Sequence, residues 1–300
     1  MKTFCGMSLL SVLMVVGAAC QPTVPAGGYH SSQLPLQSTG LDTAADDVGL
    51  EDGASGDLAA QGAGDDPVEQ AEPVPVSQDE LAAIAELEEF GAKLDFCDAG
   101  HARTVELVDS KITDEDLVIF GRLPNLESLE ISGGSVTDAG LEHLGKLTGL
   151  QRLYLHDLPV TDAALGKLSK LTKLEVLSLK NTEITGKAVI TLQPLRQLHV
   201  LNLAENRIDD EALTNLKPFK DLDTLVLQET DVTGAGFLAL QPLKKLRVLN
   251  VRECDVNDPD LYHLVGLHEL RMLYVRGCNV TKENIAEFKK EMTSLAVFMN

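Results

Sequence analysis

The stretch LESLEISGGSVTDAGLEHLGKLTG, residues 126–149, determines the fold of this 300-residue chain. The alternation around Leu129 and Ile131 is the two-residue period of a short β-strand with one apolar face. Thr137 and Asp138 predict the start of a helix, because their side-chain oxygens can accept hydrogen bonds from its free N–H groups. Three leucines at three-residue spacing then predict the buried side of that helix. One such unit cannot bury these leucines alone, so we expect neighbouring units to cover them.

The unit repeats every 24 residues without a gap, and its head follows the pattern L-x-x-L-x-L. The copies, which we call coils 1 to 8, begin at residues 102, 126, 150, 174, 198, 222, 246 and 270. A regular period of this length predicts that equivalent strands stack in parallel, about 4.8 Å apart. The coils therefore form one elongated core rather than several separate domains.

The head pattern resembles that of leucine-rich repeats. The stretches VTDAGL at 136–141 and VTDAAL at 160–165 resemble the Thr-Asp-Ala-Gly-Leu type of this repeat, which is found in many bacterial proteins. The resemblance covers residues 102–293. It implies an α/β leucine-rich-repeat solenoid of about eight coils, with parallel strands on the concave face and helices on the convex face, in residues 102–300. It implies no particular ligand.

The two ends of a solenoid need caps, because an end coil would otherwise expose its core. Residues 77–101 are predicted to form the N-terminal cap, a helix that begins with a capping box from Ser77 to Glu80. The expected buried stripe of this segment is Leu81, Ile84, Leu87, Phe90 and Leu94. Residues 93–97 could add a strand. At the other end, Leu295 and Phe298 are predicted to point inward in a ninth strand.

The first nineteen residues are predicted to be a signal peptide, with an apolar core at residues 7–19. The sequence from Gly17 to Cys20 resembles a bacterial lipobox, although that motif usually has Leu or Val where Gly17 stands. The resemblance implies export, cleavage before Cys20 and lipid attachment to its thiol, which would anchor the protein in the bacterial cell envelope. Gln21, rather than Asp, favours the outer membrane where one is present. The alternative is an ordinary signal peptide cut after Ala19.

Residues 20–76 are predicted to be a disordered acidic tether. The chain between residues 21 and 92 has fifteen Asp or Glu and no Lys or Arg. Such a segment cannot bury enough apolar surface to offset the entropy lost on folding. The whole chain carries a net charge of -21, which argues against binding nucleic acid.

Side chains that could carry chemistry coincide with the repeat. The Thr-Asp pairs recur once per coil and are explained by helix capping rather than catalysis. Cys254 and Cys278 are one period apart; they could form a disulfide, but identical Cβ directions in stacked coils favour a ladder of free thiols. We found no nucleophile, phosphate-binding or metal motif outside the periodic positions. No cofactor or metal is therefore expected.

A partner-binding surface is predicted on the concave sheet, where the third, fifth and seventh residues of each coil alternate with inward leucines. The C-terminal coils combine apolar side chains, an aromatic and two stacked arginines, and Tyr and Arg are enriched among binding hot spots. The candidate residues are Arg152, Tyr154, His156, Val226, Gln228, Val248, Asn250, Arg252, Met272, Tyr274 and Arg276. Plainer positions such as Ser178 are expected to tolerate alanine, at a cost within about 0.5 kcal/mol. The alternative is a solvated face of chance composition.

The sequence therefore favours a non-catalytic, membrane-tethered module that binds a protein or another macromolecule. The main alternative is an architectural envelope protein without one specific ligand. An enzyme is not expected, because the only non-repeating segments are the tail and the caps. Pairing of acidic partner groups with Arg252 and Arg276 is the predicted mode of recognition.

Overall fold

A computed structural model describes residues 74–299 of the chain. The predicted signal peptide, Cys20 and nearly all of the predicted tether lie outside this range. The described residues form a ten-stranded sheet in which the strand order follows the chain, from β1 to β10. No helix within residues 74–299 is both long and apolar enough to cross a membrane.

Each coil contributes one strand and one helical segment. The strands are β1 (Lys93–Phe96), β2 (Ala102–Val108), β3 (Ser128–Ser132), β4 (Arg152–His156), β5 (Val176–Ser178), β6 (Val200–Asn202), β7 (Thr224–Val226), β8 (Val248–Asn250), β9 (Met272–Tyr274) and β10 (Ala296–Phe298). The α-helices are α1 (Gln78–Glu89), α2 (Leu141–Leu144), α3 (Asp162–Leu168), α4 (Asp210–Thr214) and α5 (Lys282–Glu291). Four coils have a 3₁₀ helix instead, at Asp116–Arg122, Gly186–Leu192, Gly234–Leu240 and Asp258–Leu264.

The parallel register follows the repeat from β2 to β10. Leu129 pairs with Leu153 in the next strand, and Leu153 pairs with Leu177 after it. Because each step is 24 residues, equivalent leucines stack in continuous columns, and all three are completely buried. The inward columns of the sequence prediction are therefore confirmed. The possible extra strand is also present: β1 runs antiparallel to β2.

The Thr-Asp pairs connect coils rather than only capping helices. Thr137 behaves as predicted, since its hydroxyl accepts a hydrogen bond from the N–H of Ala139 (3.3 Å). Asp138, however, accepts hydrogen bonds from the N–H and the hydroxyl of Thr161 in the next coil, at 2.7 and 2.6 Å. We call this arrangement the Asp–Thr ladder. The same pair of bonds joins Asp114 to Thr137, Asp162 to Thr185, Asp210 to Thr233 and Asp258 to Thr281.

The N-terminal cap differs from its prediction in two ways. Ser77 accepts the expected hydrogen bond from the N–H of Glu80 (3.1 Å), but the Glu80 carboxylate does not close a capping box. Instead it accepts hydrogen bonds from His101 (2.8 Å) and from the N–H of Ala102 (3.0 Å). This contact turns α1 so that Glu80, Ala83 and Leu87 face the core. Leu81, which was predicted to be inside, is exposed.

The C-terminal strand keeps the 24-residue offset, which corrects the predicted register by one residue. Val297 pairs with the inward Leu273, and Phe298 pairs with Tyr274. A shift of one residue moves a side chain to the opposite face of a sheet. Phe298 therefore lies on the concave surface instead of in the core, and it is 39% exposed.

Candidate partner-binding surface on the concave sheet

The concave face bears three rows of side chains, at the third, fifth and seventh positions of the coils. Many of them are less accessible than the alternation predicts. Ser178 and Asn202, in the middle row of β5 and β6, are completely buried. The middle row of the concave face is therefore inaccessible at β5 and β6; we call these buried concave positions the floor of the sheet. The accessible candidate residues are found toward the two ends.

The candidate residues in β4 are only partly accessible. Arg152 and Tyr154 are half-buried, whereas His156 is buried. The rings of Tyr154 and His156 meet edge to face, with their centroids 6.0 Å apart. Of the three, Arg152 and Tyr154 are the ones that a partner can reach.

His156 belongs to a hydrogen-bonded network that crosses four strands. The Nδ2 atom of Asn202 donates to the Ser178 hydroxyl (2.9 Å), because its Oδ1 atom already accepts from the N–H of Ala204 (3.0 Å). The Ser178 hydroxyl is also hydrogen-bonded to Nε2 of His156 (2.7 Å), and the tautomer of the imidazole decides which of the two atoms donates. The other ring nitrogen, Nδ1, faces the Glu130 carboxylate at 3.9 Å.

The Glu130, His156 and Ser178 side chains stand in the order of a catalytic triad, but their environment differs. A nucleophilic hydroxyl must reach a substrate carbonyl, and Ser178 has no exposed surface. Burial lowers the pKa of His156 to about 4, so the ring is a weak base. We therefore interpret the network as structural: it connects buried side chains of neighbouring strands. The sequence did not reveal this network, because its members lie in separate coils.

Two candidate residues in the C-terminal half are part of this floor. Val226 and Val248 are only 6% and 1% exposed, so little of either side chain is accessible to a partner. Gln228 and Asn250 are partly exposed beside them.

The accessible part of the C-terminal half is an aromatic cluster on β9 and β10. The rings of Tyr274 and Phe298 stack 4.6 Å apart with an interplanar angle of 14°. The Arg252 guanidinium lies over the Tyr274 ring, 4.9 Å from its centroid. The Tyr274 hydroxyl contacts the Met272 sulfur at 3.7 Å. We call Arg252, Met272, Tyr274 and Phe298 the aromatic cluster; sequence reasoning missed Phe298 because of the register error.

The guanidinium groups of this region are weakly paired. Within residues 74–299, the Nε atom of Arg252 is buried and has no hydrogen-bond acceptor. Arg276 is exposed, and its nearest carboxylate is that of Glu253 at 4.0 Å. Arg276 is therefore free to pair with a carboxylate of a partner, and Arg252 is fixed over the tyrosine ring.

The two groups of candidate residues do not form one site. Tyr154 lies on β4 and Tyr274 on β9, five strands apart in the sheet. At about 4.8 Å per strand the two positions are roughly 24 Å apart. The structure brings together the candidates of β8 and β9, with Phe298 of β10 as an additional member.

The cysteines of the described residues are free thiols. The Cys254 thiol donates to the carbonyl of Leu227 (3.0 Å), and the Cys278 thiol donates to that of Val251 (3.1 Å). Each thiol thus satisfies a carbonyl of the preceding coil, in the predicted ladder. Across residues 74–299, no group of three or more His, Cys, Asp or Glu is placed to hold a metal ion.

Comparison with known proteins agrees with this geometry. The family model described as leucine-rich repeat matches residues 122–145 and 196–217. Internalin C2 from Listeria monocytogenes has a similar structure, with a TM-score of 0.57 and 21% sequence identity over 77% of this chain and 98% of that protein. The fold is a leucine-rich-repeat solenoid.

Two further leucine-rich-repeat structures are similar over part of their length. One is a protein from Leptospira interrogans, with a TM-score of 0.43 and 15% identity over 65% of this chain and 60% of that one. The other is the plant peptide hormone receptor RGFR1 in complex with RGF2, with a TM-score of 0.42 and 17% identity over 70% of this chain and 36% of that one. No curated protein sequence matches the chain. Leucine-rich-repeat folds commonly serve as protein-binding scaffolds, and they are generally non-catalytic.

Proposed function

We propose that this protein is a non-catalytic module that is tethered to a membrane of the bacterial envelope and recognises a protein partner through the C-terminal half of its concave sheet. The observation that carries this proposal is the aromatic cluster. Stacked Tyr and Phe rings with an arginine over one of them form an accessible, rigid surface, and aromatic and arginine side chains dominate the energy of known interfaces.

The cluster favours a partner with an apolar group flanked by carboxylates. The rings of Tyr274 and Phe298 offer an apolar surface, and Arg276 offers an exposed positive charge. A carboxylate can accept two parallel hydrogen bonds from one guanidinium group. The floor formed by Val226 and Val248 keeps this surface stiff, so little conformational entropy is lost on binding.

A displayed library of random peptides provides a defined probe for this surface. Peptides selected on the wild-type protein should be enriched in acidic residues next to an aromatic or aliphatic residue. Tyr274→Ala and Arg276→Glu should each weaken the selected peptides by about tenfold or more, which corresponds to about 1.4 kcal/mol. The matched control is Lys187→Glu, an exposed cation on the convex side.

The outcome that contradicts the concave site is loss of peptide binding in Lys187→Glu and retention in both concave variants. Self-association of the wild-type protein in sedimentation, without enrichment of any peptide class, would favour the architectural alternative. Unchanged thermal melting of the three variants is required, so that binding and folding are measured separately.

Tethering is tested separately at Cys20, which is followed by Gln21 and the acidic segment. In a bacterial host, wild-type protein should incorporate labelled palmitate and fractionate with membranes. The Cys20→Ser variant should incorporate none and should be released. Absence of label in the wild-type protein contradicts lipidation, and the ordinary signal peptide is then the remaining interpretation.

A further inference from the structure

The two long edges of the solenoid carry opposite charge. Loops that lead from a strand to the following helix, in coils 1 to 8, contain twelve Asp or Glu and five Lys or Arg. Loops that lead from a helix back to the next strand, up to β9, contain ten Lys or Arg and five Asp or Glu. We call the second set of loops the basic edge. In a chain with a net charge of -21, this separation concentrates positive charge along one side.

Most cations of the basic edge have no carboxylate partner. Lys245 pairs with Asp221 and Arg247 pairs with Asp223, which neutralises two of the five acidic groups. Among residues 74–299, the eight other cations of these loops have no carboxylate within 4.0 Å and are exposed: Lys146, Lys170, Lys173, Arg196, Lys217, Lys220, Lys244 and Arg271. The first seven come from five consecutive coils, so the 24-residue register sets them in a row along the edge.

Exposed apolar side chains lie on the convex helices that enter these loops. Ile190, Leu238 and Tyr262 occupy the same position of coils 4, 6 and 7 and are 52%, 60% and 43% exposed. Lys217 and Leu238 line one shallow depression between two neighbouring coils. An apolar row beside a row of cations is the pattern of a surface that rests in the interface of a bilayer, with apolar groups among the acyl chains and cations at the headgroups.

We propose that the basic edge docks on a bilayer of anionic phospholipids. A row of cations along one edge matches a negatively charged surface, and each Lys or Arg close to such a surface contributes about 1 kcal/mol. The acidic edge faces the opposite way and is repelled, which fixes the orientation of the solenoid. This contact is independent of the concave site and of lipid attachment at Cys20, so failure of either proposal leaves the other intact.

Co-sedimentation with vesicles tests this docking. The probe is a vesicle of phosphatidylcholine with or without phosphatidylglycerol, and the full chain carries Cys20→Ser so that no acyl chain contributes. Residues 1–19 are common to all variants, and only the dependence on phosphatidylglycerol is scored. The wild-type sequence should bind vesicles with phosphatidylglycerol and be released by salt, since screening weakens exposed charges.

The decisive variant combines Lys217→Glu, Lys220→Glu and Lys244→Glu. Its matched control combines Lys111→Glu, Lys187→Glu and Arg207→Glu, exposed cations outside the basic edge that change the net charge by the same amount. The first variant should lose binding by about tenfold or more, and the control should keep it. Equal loss in both variants, or equal binding of the wild type to both vesicle types, overturns the proposal.

A second variant separates a bilayer from a soluble anion. Leu238→Ser removes an exposed apolar side chain without altering charge, so it should weaken vesicle binding, most clearly at raised salt. Soluble glycerol phosphate should compete poorly, because it presents single charges rather than a surface. Full competition by glycerol phosphate together with unchanged binding of Leu238→Ser would overturn the bilayer as the ligand and indicate a phosphate site.

Discussion

At the scale of single residues, the concave sheet shows where the sequence was informative and where it was not. The side on which each strand residue lies follows from alternation, so Tyr154, Tyr274 and Arg252 were placed on the correct face. Their accessibility depends on contacts with residues of other coils, which the alternation within one strand does not specify. For this reason Val248 and Ser178 were expected at the surface and are buried.

Ser178 is expected not to tolerate alanine, because its hydroxyl is buried and hydrogen-bonded. Ser178→Ala removes the acceptor of Asn202 Nδ2 and the hydrogen-bond partner of His156 Nε2, and it leaves both polar groups buried. The free energy of unfolding should fall by about 1–3 kcal/mol. Ser135→Ala, at an exposed loop position, is the matched control and should change it by less than about 0.5 kcal/mol. Urea unfolding compares the two; equal effects would contradict the network.

His156 gives a pH dependence with a definite sign. Burial lowers its pKa to about 4 in the folded protein, whereas an unfolded histidine has a pKa of about 6.5. Its contribution to stability is therefore complete above about pH 6.5 and is lost as the pH falls toward 4, because the unfolded chain binds the proton more tightly. Urea unfolding of the wild type and of His156→Gln should converge over this window. A constant difference would show that the ring is not buried in its neutral form.

At the scale of elements, the Asp–Thr ladder follows a rule that one repeat alone does not reveal. Where a coil supplies Asp, the next coil supplies Thr; Gly186 and Gly234 supply no carboxylate, and Asp209 and Asn257 follow them. A Cβ on Gly234 would lie 2.0 Å from Asp260, whose carboxylate accepts the N–H of Asn257 (2.8 Å). In coil 7, therefore, the N–H at the start of the helical segment is bound by a carboxylate of the same coil, because the preceding coil has glycine in place of aspartate.

The ladder predicts unequal effects for two aspartates. Asp162→Ala removes two short hydrogen bonds to Thr185 in the next coil, and it should lower the free energy of unfolding by about 1–3 kcal/mol. The control is Asp231→Ala at an exposed loop position, which should change it by less than about 0.5 kcal/mol. Thermal and urea unfolding of both proteins make the comparison. If Asp231→Ala is as harmful as Asp162→Ala, the ladder does not stabilise the stack.

The N-terminal cap depends on pH in the opposite sense. Both ring nitrogens of His101 face acceptors, Glu80 at 2.8 Å and the Val74 carbonyl at 2.8 Å, so a doubly protonated ring can donate to both. The hydrogen bond to Glu80 and that to Val74 raise the pKa of His101 against the effect of burial. This stabilisation is complete below about pH 6.5 and is lost as the pH rises through the raised pKa. Amide exchange in α1 should quicken over that range, relative to a His101→Gln protein. If the ratio of the two exchange rates does not change with pH, the contacts of His101 with Glu80 and Val74 do not stabilise the cap.

At the scale of the whole molecule, a fixed period made most of the fold predictable. A 24-residue repeat places every inward leucine in a column without knowledge of any other contact, and the register from β2 to β10 keeps that offset throughout. The caps lack this constraint. In the N-terminal cap, a single buried contact between Glu80 and His101 decides which side of the helix faces the core. At the C-terminal end, an error of one residue in the predicted register placed Phe298 on the wrong face of the sheet. The aromatic cluster could be predicted only in part for the same reason.

The ladder rule limits how this gene could gain or lose coils. Removal of coil 3 would join Asp138 to Thr185, a compatible pair, and removal of coils 5 and 6 together would join Gly186 to Asn257, which also match. Removal of coil 6 alone would bring Asp210 to the place of Gly234, where Asp260 leaves no space for a side chain. Unequal recombination at the 24-residue period is therefore expected to yield folded proteins only when the coils that become neighbours have a compatible pair of residues. Deletions of some coils should be tolerated and deletions of others should not.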